Sequence, residues 1–226
     1  MNRKNKKIKT IQSSKHFNNQ ERKRFLMKQI IFATGNPTKA KRFSKGLAKK
    51  GVEVLALRDI GIKINVKEDG KNVIENALKK VRECYDVTGR ISIGMDDALY
   101  LENVPEEKQP GLYVSRVEGK ELDDEEMIEH YTKLVKKYGK NGKINAKWVY
   151  GIAVINESGK ESTYTWKKEG IYLVDKPCKK INQGYPLNSI TKYTKNNKYL
   201  AEISEEEKEA KKQDEQDVVD FIAENI

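Results

Sequence analysis

A short apolar run that ends in a polar turn and is followed by a basic helix constrains this chain most. Residues 28–33 are largely apolar, Asn36 suits a helix N-cap, and Pro37 suits the first helical position. The helix is predicted to continue to Gly51, and "VEVLAL" follows as a second strand. A strand–helix–strand order is typical of α/β proteins, because the helix packs on the sheet that the strands share.

The rest of the chain predicts two more amphipathic helices and several strands. Apolar residues recur at helical spacing over 73–85 and over 127–135, and "ISIGM" indicates a short buried strand. "KWVYGIAVI" and "STYTWKKEGIYLV" favour an antiparallel pair. A last helix is predicted from Ser204 to the C-terminus, opened by a capping box.

Charge separates the first 26 residues from the rest. They hold nine Lys or Arg against one acid, so they carry +8 of the net charge of +11. With few apolar residues and no period, residues 1–26 are predicted to be a disordered extension of a single domain at 27–226. Upstream sequence before a start at Met27, a targeting peptide, and contact with nucleic acid or an anionic membrane are the alternatives for this segment.

Two counts bear on the setting. No apolar run approaches the ~20 residues that cross a bilayer, so we expect no membrane partner. The two cysteines, Cys84 and Cys178, have no metal-binding spacing, and a reduced, cytoplasmic setting is expected.

The turn after the first strand offers groups that suit a phosphate. Gly35 lets the backbone approach a ligand, Thr34 and Asn36 supply polar side chains, and Lys39 supplies a cation. An ordinary turn with a surface lysine explains the same residues. A Walker A loop is excluded, because its glycine and lysine spacing does not occur in the sequence.

Adjacent acids stand where the "ISIGM" strand is predicted to end. Asp96 and Asp97 would then lie at the edge of the sheet where α/β proteins bind ligands, and paired carboxylates suit Mg²⁺. Glu68 and Asp69 belong to a loop and are also candidates. A solvated turn is the alternative for both pairs.

Taken together, five segments in order resemble the inosine/xanthosine triphosphate pyrophosphatases (Ham1-like), which convert unusual purine nucleoside triphosphates to monophosphate and diphosphate. The segments span about residues 28–211 and are "FATGNPTKAKRF", "VKEDGKNVIENALKKV", "GMDDALYL", "PGLYVSRVEG" and "AEISEEEKEA".

The resemblance implies a role for each matching position. It implies a catalytic set of Asp97, which takes a proton from the attacking water, Asp96 and Lys80. It implies Mg²⁺ as cofactor, held by Glu68 and Asp97. It implies a set that contacts or shapes the site around the nucleotide, namely Thr34, Gly35, Asn36, Lys39, Glu75, Asn76, Arg116, Tyr185 and Lys208.

The base-reading segments depart from the family pattern. The family's G-F-G-Y-D-P corresponds here to "NQGYPLNSI", which keeps Gly184 and Tyr185 but has Gln183 in place of the aromatic residue and lacks the acid. The family's S-H-R corresponds to residues 212–214, and the serine of A-D-D-S-G is Ala98. Tyr185 is interpreted either as a base-stacking residue or as a core or surface tyrosine.

These observations lead to one predicted function and two alternatives. The resemblance predicts an α/β protein with a twisted mixed sheet, flanking helices and two lobes around a cleft. It predicts a Mg²⁺-dependent nucleoside triphosphate pyrophosphatase that forms a homodimer. The alternatives are a catalytically weak nucleotide-binding paralogue and, less favoured, nucleic-acid binding through the basic extension.

Overall fold

The structure is a computed structural model that describes residues 27–204, 206–207 and 215–226. The predicted extension at residues 1–26, Lys208 and residues 212–214 lie outside the described residues. Part of the predicted last helix lies there too. Within the described part, Ser204 and Glu207 form the predicted capping box, with Glu207 N donating to Ser204 Oγ at 3.2 Å and Ser204 N donating to Glu207 Oε2 at 3.1 Å.

A six-stranded sheet in the order β2-β1-β3-β6-β7-β8 forms the centre of the molecule. Strand β1 is parallel to β2 and to β3, whereas all later neighbours are antiparallel. The predicted mixed sheet is confirmed. The strands are β1 (Lys28–Phe32), β2 (Val52–Ala56), β3 (Ser92–Leu101), β4 (Arg116–Val117), β5 (Lys120–Glu121), β6 (Lys143–Ile155), β7 (Glu161–Val174) and β8 (Thr191–Tyr193), with β4 and β5 forming a separate hairpin.

The helices of the described residues flank this sheet. They are α1 (Pro37–Lys41), α2 (Ser44–Lys49), α3 (Val73–Thr88), α4 (Asp124–Tyr138) and α5 (Gln216–Glu224). The prediction of one helix from Pro37 to Gly51 was wrong, because the chain breaks at Arg42 and Phe43. There the Arg42 N–H donates to Lys39 O at 3.0 Å, three residues back instead of four as in an α-helix. The Ser44 hydroxyl donates to Ala40 O at 3.0 Å, in place of the backbone N–H that a continuous helix would use.

Strand β3 extends beyond the two aspartates, which corrects the prediction that they follow its end. The strand runs to Leu101 because β6 pairs with it along its whole length, from Ser92↔Ile155 to Leu101↔Ala146. Asp96 and Asp97 therefore lie inside the strand.

Two large hydrophobic clusters lie along the sheet. One packs α2 and α5 against β1 and the near halves of β3 and β6, with Phe32 and Leu47 fully buried. The other packs α4 against the far ends of β3, β6 and β7, with Tyr131 at its centre. Trp148 on β6 packs against both clusters, so the long strands join two lobes. None of the helices in the described ranges is long and apolar enough to span a membrane.

Candidate functional site

The candidate site lies along one edge of β3. Strand β1 ends opposite Ile93, and the next contact on that side of β3 is the bridge between Leu99 and Gly111. Among the described residues no strand pairs with this edge between those two points. Because successive strand residues point to opposite faces, Asp96 and Asp97 flank the open edge from two sides.

The Thr34–Lys39 turn supplies the groups next to Asp97. Asn36 caps α1 by accepting from the Thr38 and Lys39 N–H groups at 2.9 and 3.3 Å, and Thr34 Oγ1 accepts from Asn36 N at 3.1 Å. Lys39 Nζ makes an ion pair with Asp97 Oδ1. The local capping that the sequence predicts therefore aims Lys39 at Asp97.

Asn36 also reaches the other lobe. Its Nδ2 donates to Gly184 O at 3.3 Å, next to Tyr185. The Thr34–Lys39 turn and the segment around Gly184 therefore face one cleft.

Asp96 is held on the opposite face of β3 by α3. Its carboxylate, on a residue that is only 5% exposed, accepts from Asn76 Nδ2 at 3.0 Å and from Lys80 Nζ at 2.6 Å. Burial raises the pKa of Asp96 above its ordinary value, although Lys80 and Asn76 favour the charged form. Asn76 Oδ1 accepts in turn from Gly70 N at 2.8 Å, which fixes the end of the preceding loop.

Glu68 joins this group through two cations. Its Oε1 lies 3.2 Å from Lys80 Nζ, and its Oε2 accepts from Arg116 Nη2 at 2.8 Å. The Lys80 ammonium contacts both Glu68 and Asp96, at 3.2 and 2.6 Å. The two carboxylates are therefore close neighbours on either side of one cation. The structure thus brings Glu68, Lys80, Arg116 and Asp96 together.

Two glycines let α3 lie close enough to the sheet to make these contacts. A Cβ on Gly94 would stand 2.4 Å from Ala77 O, and one on Gly151 would stand 2.8 Å from Val73 Cγ2. Gly151 pairs directly with Asp96. The close approach places Asn76 and Lys80 over Asp96.

Glu75 lies in the first turn of α3. Its described contacts are with Lys71 N at 2.8 Å and Asn72 Nδ2 at 3.0 Å, at the start of α3. These contacts make Glu75 a helix-capping residue, and its contact with a ligand stays a prediction.

Two adjoining cavities open from Lys39 and Asp97 toward the second lobe. The one that contains both residues has a volume of about 330 Å³, and its neighbour has about 810 Å³. Arg42, Tyr150 and Tyr185 line both. Burial raises the pKa of Tyr185 to about 12, so the phenol stays protonated near neutral pH.

Arg42 is the residue of this region that the sequence analysis missed. Its guanidinium lies 4.4 Å from the Tyr150 ring centroid and pairs with Glu215 through Nε and Nη2. Burial opposes the charge, but Glu215, Tyr150 and Tyr185 together outweigh it, and the pKa of Arg42 rises above its usual range. The sequence does contain a cation after α1 and aromatic residues that alternate along β6 and β7. These segments are far apart in the chain, so no local pattern predicts that they meet.

Glu68 and Asp97 are the carboxylates predicted to hold Mg²⁺. The described residues contain no group of three or more His, Cys, Asp or Glu that could hold a metal ion. Magnesium is usually held by one or two carboxylates together with substrate phosphates and water, so Glu68 and Asp97 suit it only as part of a site that the substrate completes. Cys84 is fully buried in the core.

Comparison with known proteins decides the family. The model of the Ham1 family matches residues 30–216, which is most of the chain. The chain belongs to the Ham1 family. This confirms the resemblance seen in the five sequence segments. The assignment to a phosphoanhydride hydrolase agrees with the names of its relatives.

Individual relatives and structures agree with this assignment. The dITP/XTP pyrophosphatase of Bacillus subtilis (strain 168) is 30% identical over 182 residues, which cover 80% of this chain and 89% of that protein. The dITP/XTP pyrophosphatase of Thermoanaerobacter pseudethanolicus is 32% identical, over 79% of this chain and 87% of its own.

Solved structures of Ham1 proteins share the fold. A HAM1 protein from Coxiella burnetii has a TM-score of 0.67 at 21% identity and covers 88% of this chain and 100% of its own. The Staphylococcus aureus Ham1 protein has a TM-score of 0.61 at 24% identity, over 80% and 89%. The predicted two-lobed α/β fold is confirmed.

Proposed function

We propose that this Ham1-family chain hydrolyses nucleoside triphosphates, non-standard purine nucleotides in particular, to nucleoside monophosphate and diphosphate with Mg²⁺. The observation that carries the proposal is the ion pair between Lys39 and Asp97 at the open edge of β3. It puts a phosphate-binding cation beside a carboxylate that can take a proton. The names of the relatives, dITP/XTP pyrophosphatases, support the same reaction.

The triphosphate would lie between the Thr34–Lys39 turn and α3. A Cβ at the exposed Gly35 would meet no atom within 4 Å, so the outer side of this turn is open to a ligand. Lys39 stands on one side of β3 and Lys80 on the other. A polyphosphate is therefore flanked by ammonium groups from two separate helices.

The cations of the site have carboxylate partners that substrate would replace. Lys39 pairs with Asp97, and Glu68 pairs with Lys80 and Arg116. A bound triphosphate would compete for these cations, and Glu68 and Asp97 are the residues that would hold a Mg²⁺. When bound, the ion would supply positive charge that stabilises the phosphate oxygens.

Asp97 then acts on the water. Its carboxylate accepts one proton from a water whose oxygen adds to the α-phosphorus, and the bond from that phosphorus to the bridging oxygen breaks. Diphosphate leaves with its new charge facing Lys39 and Lys80. Charge that develops in the transition state is stabilised most where the donors are already in place. Lys80 is held by its partner Asp96, which accepts from Asn76, and Asn76 is held in turn by the N–H of Gly70.

Membership of the Ham1 family also supports the proposal that the chain forms a homodimer. Light scattering of the purified chain should then give twice the mass of one chain.

A nucleotide panel tests the proposed function. The full chain is incubated with Mg²⁺ and ITP, dITP, XTP, GTP, ATP, CTP or UTP, and diphosphate and orthophosphate are measured separately. Diphosphate release that disappears with EDTA is expected. Release of orthophosphate alone contradicts the proposed cleavage position. Nucleotide binding without any release favours the alternative of a catalytically weak nucleotide-binding paralogue.

A further inference from the structure

The wall that the two cavities share is built around one guanidinium. Arg42, directly after α1, lies over Tyr150 at 4.4 Å and also approaches the rings of Phe43 and Trp166 at 5.5 and 5.6 Å. Its side chain is only 15% exposed. An arginine packed in this way cannot swing to solvent, so it presents its donors in a fixed direction.

Glu215 occupies one edge of that guanidinium. The carboxylate accepts from Nε at 3.0 and 3.1 Å and pairs with Nη2, whereas Nη1 is not one of its partners. The contact ties the residue before α5 to the residue after α1. Glu215 also sets the plane of the Arg42 fork and points the Nη1 edge away from itself.

This wall stands at the end of the cleft where a base would lie. Arg42 and Tyr185 line the cavity that contains Lys39 and Asp97. The charges of Arg42, Asp97 and Glu215 all act on the ionisation of both Tyr150 and Tyr185, which places the five groups in one neighbourhood. With the phosphates at Lys39 and Asp97, the base of the same nucleotide meets the aromatic rings and Arg42.

A fixed arginine fork distinguishes the two kinds of purine. A 6-oxopurine presents two acceptors, O6 and N7, which match two N–H donors. A 6-aminopurine presents a donor at position 6, which would face the guanidinium donors and leave them unpaired. The chemistry of this wall therefore suits inosine, xanthosine and guanosine nucleotides and rejects adenosine nucleotides.

We propose that Arg42, held in place by Glu215, is the specificity residue of this chain and selects 6-oxopurine nucleotides over 6-aminopurine nucleotides. The proposal rests on the proposed function for the location of the phosphates. It accounts for the departures from the family at Gln183 and at residues 212–214, because base reading has another residue here.

The test compares ITP with ATP in wild type and R42K. Lysine keeps the charge but loses the planar fork. The ratio of kcat/KM for ITP to kcat/KM for ATP should fall at least tenfold, since one bidentate contact discriminates between bases by about that factor or more. The control is R82K, which breaks an equally bidentate pair with Glu161, at 2.7 and 2.7 Å, outside both cavities. R82K should leave the ratio unchanged.

Calorimetric binding of ITP and of ATP in EDTA, together with melting curves, separates the possible failures. If wild type releases no diphosphate from any nucleotide, the proposed function fails, and the ratio of the two Kd values decides the role of Arg42. A folded R42K whose ITP:ATP ratio stays within twofold of wild type overturns the proposal, because a structural clamp would change only the melting temperature.

A second variant covers the case in which R42K does not fold. E215Q leaves Arg42 in place and keeps one acceptor oxygen. Loss of the alignment should lower the ITP:ATP ratio about threefold to tenfold, with ATP affinity unchanged. An unchanged ratio in folded E215Q would show that the pair does not read the base.

Discussion

At the scale of single residues, Asp97 carries the proposed reaction. Asp97→Asn keeps the shape of the side chain but removes the proton acceptor, and we expect kcat to fall by about 10²- to 10⁴-fold. The fold should survive, because the paired groups are partly exposed, at 25% for Lys39 and 16% for Asp97. Diphosphate release and a thermal melt of the same preparation check both expectations. Activity within a few-fold of wild type would remove Asp97 from the mechanism.

Asp96 should affect stability through pH. Its pKa is raised in the folded chain, chiefly by burial, so the folded state binds a proton more tightly than the unfolded state, whose reference value is 3.8. The stability that Asp96 contributes is therefore fully present below that value and is lost as pH rises through the folded pKa.

Asp96→Asn removes this titration. Urea unfolding at several pH values from 3.5 to 7 should show wild type losing stability relative to Asp96→Asn as pH rises above about 3.8. Parallel curves for the two proteins would show that burial does not control this carboxyl group.

The local geometry of the Thr34–Lys39 turn could be predicted because one short segment carries it. Thr34, Asn36 and Lys39 lie within six positions, and their capping is local. The pair of Arg42 and Glu215 could not be predicted, since 173 positions separate its members and nothing local requires either of them. Asp97 was already a candidate in the sequence as one of two adjacent acids, whereas its place inside β3 depends on the pairing with β6.

At the scale of elements, the contact of α3 with β3 decides whether the site assembles. A methyl group on Gly94 would stand 2.4 Å from Ala77 O and 2.9 Å from Val81 N, both backbone atoms of α3. Gly94→Ala must therefore push the helix away. We expect a loss of about 1–3 kcal/mol in the free energy of unfolding, as for other overpacked cores. We also expect a lower kcat, since Lys80 and Asn76 move with the helix.

Gly35→Ala is the matched control for stability. Its Cβ would meet nothing within 4 Å and its φ is not in the left-handed region, so the unfolding free energy should change by less than about 0.5 kcal/mol. Urea denaturation of the two variants measures the difference. Equal stabilities would contradict the close packing of α3 on β3.

Helices and strands with a local period were predicted correctly, and those that depend on distant partners were not. The helix over 73–85 shows its apolar face in sequence and is found as α3. No local pattern predicts the break between α1 and α2. The residue at this break, Arg42, packs against rings from β6 and β7, which are distant in the sequence. The extent of β3 likewise depends on β6, about 55 positions later in the chain.

At the scale of the whole molecule, long strands hold two lobes at a fixed separation, and the cleft between them receives charged groups from both. The cations at this cleft are balanced by acids among the described residues, so the fold itself is close to neutral there. Most of the excess positive charge belongs to residues 1–26, with +8 of the total of +11. The excess positive charge and the balanced charges of the cleft therefore belong to separate parts of the sequence.

This separation predicts the outcome of deleting residues 1–26. Among the residues that the structure describes, the members of the hydrophobic clusters come from residue 30 onward. We therefore expect a chain that begins at Met27 to melt at the same temperature as the full chain. Its kcat/KM for ITP should also be unchanged, because the residues proposed to contact the nucleotide all follow residue 33. Melting curves, diphosphate release and the fluorescence anisotropy of a labelled single-stranded RNA are compared for the two chains at 50 and 200 mM salt.

RNA binding by the full chain that falls steeply with salt and is lost on deletion would show that residues 1–26 bind the phosphate backbone of nucleic acid, with release of counterions. A drop in kcat/KM on deletion would instead show that the tail contributes to the nucleotide site, and the separation of the two charged regions would be wrong.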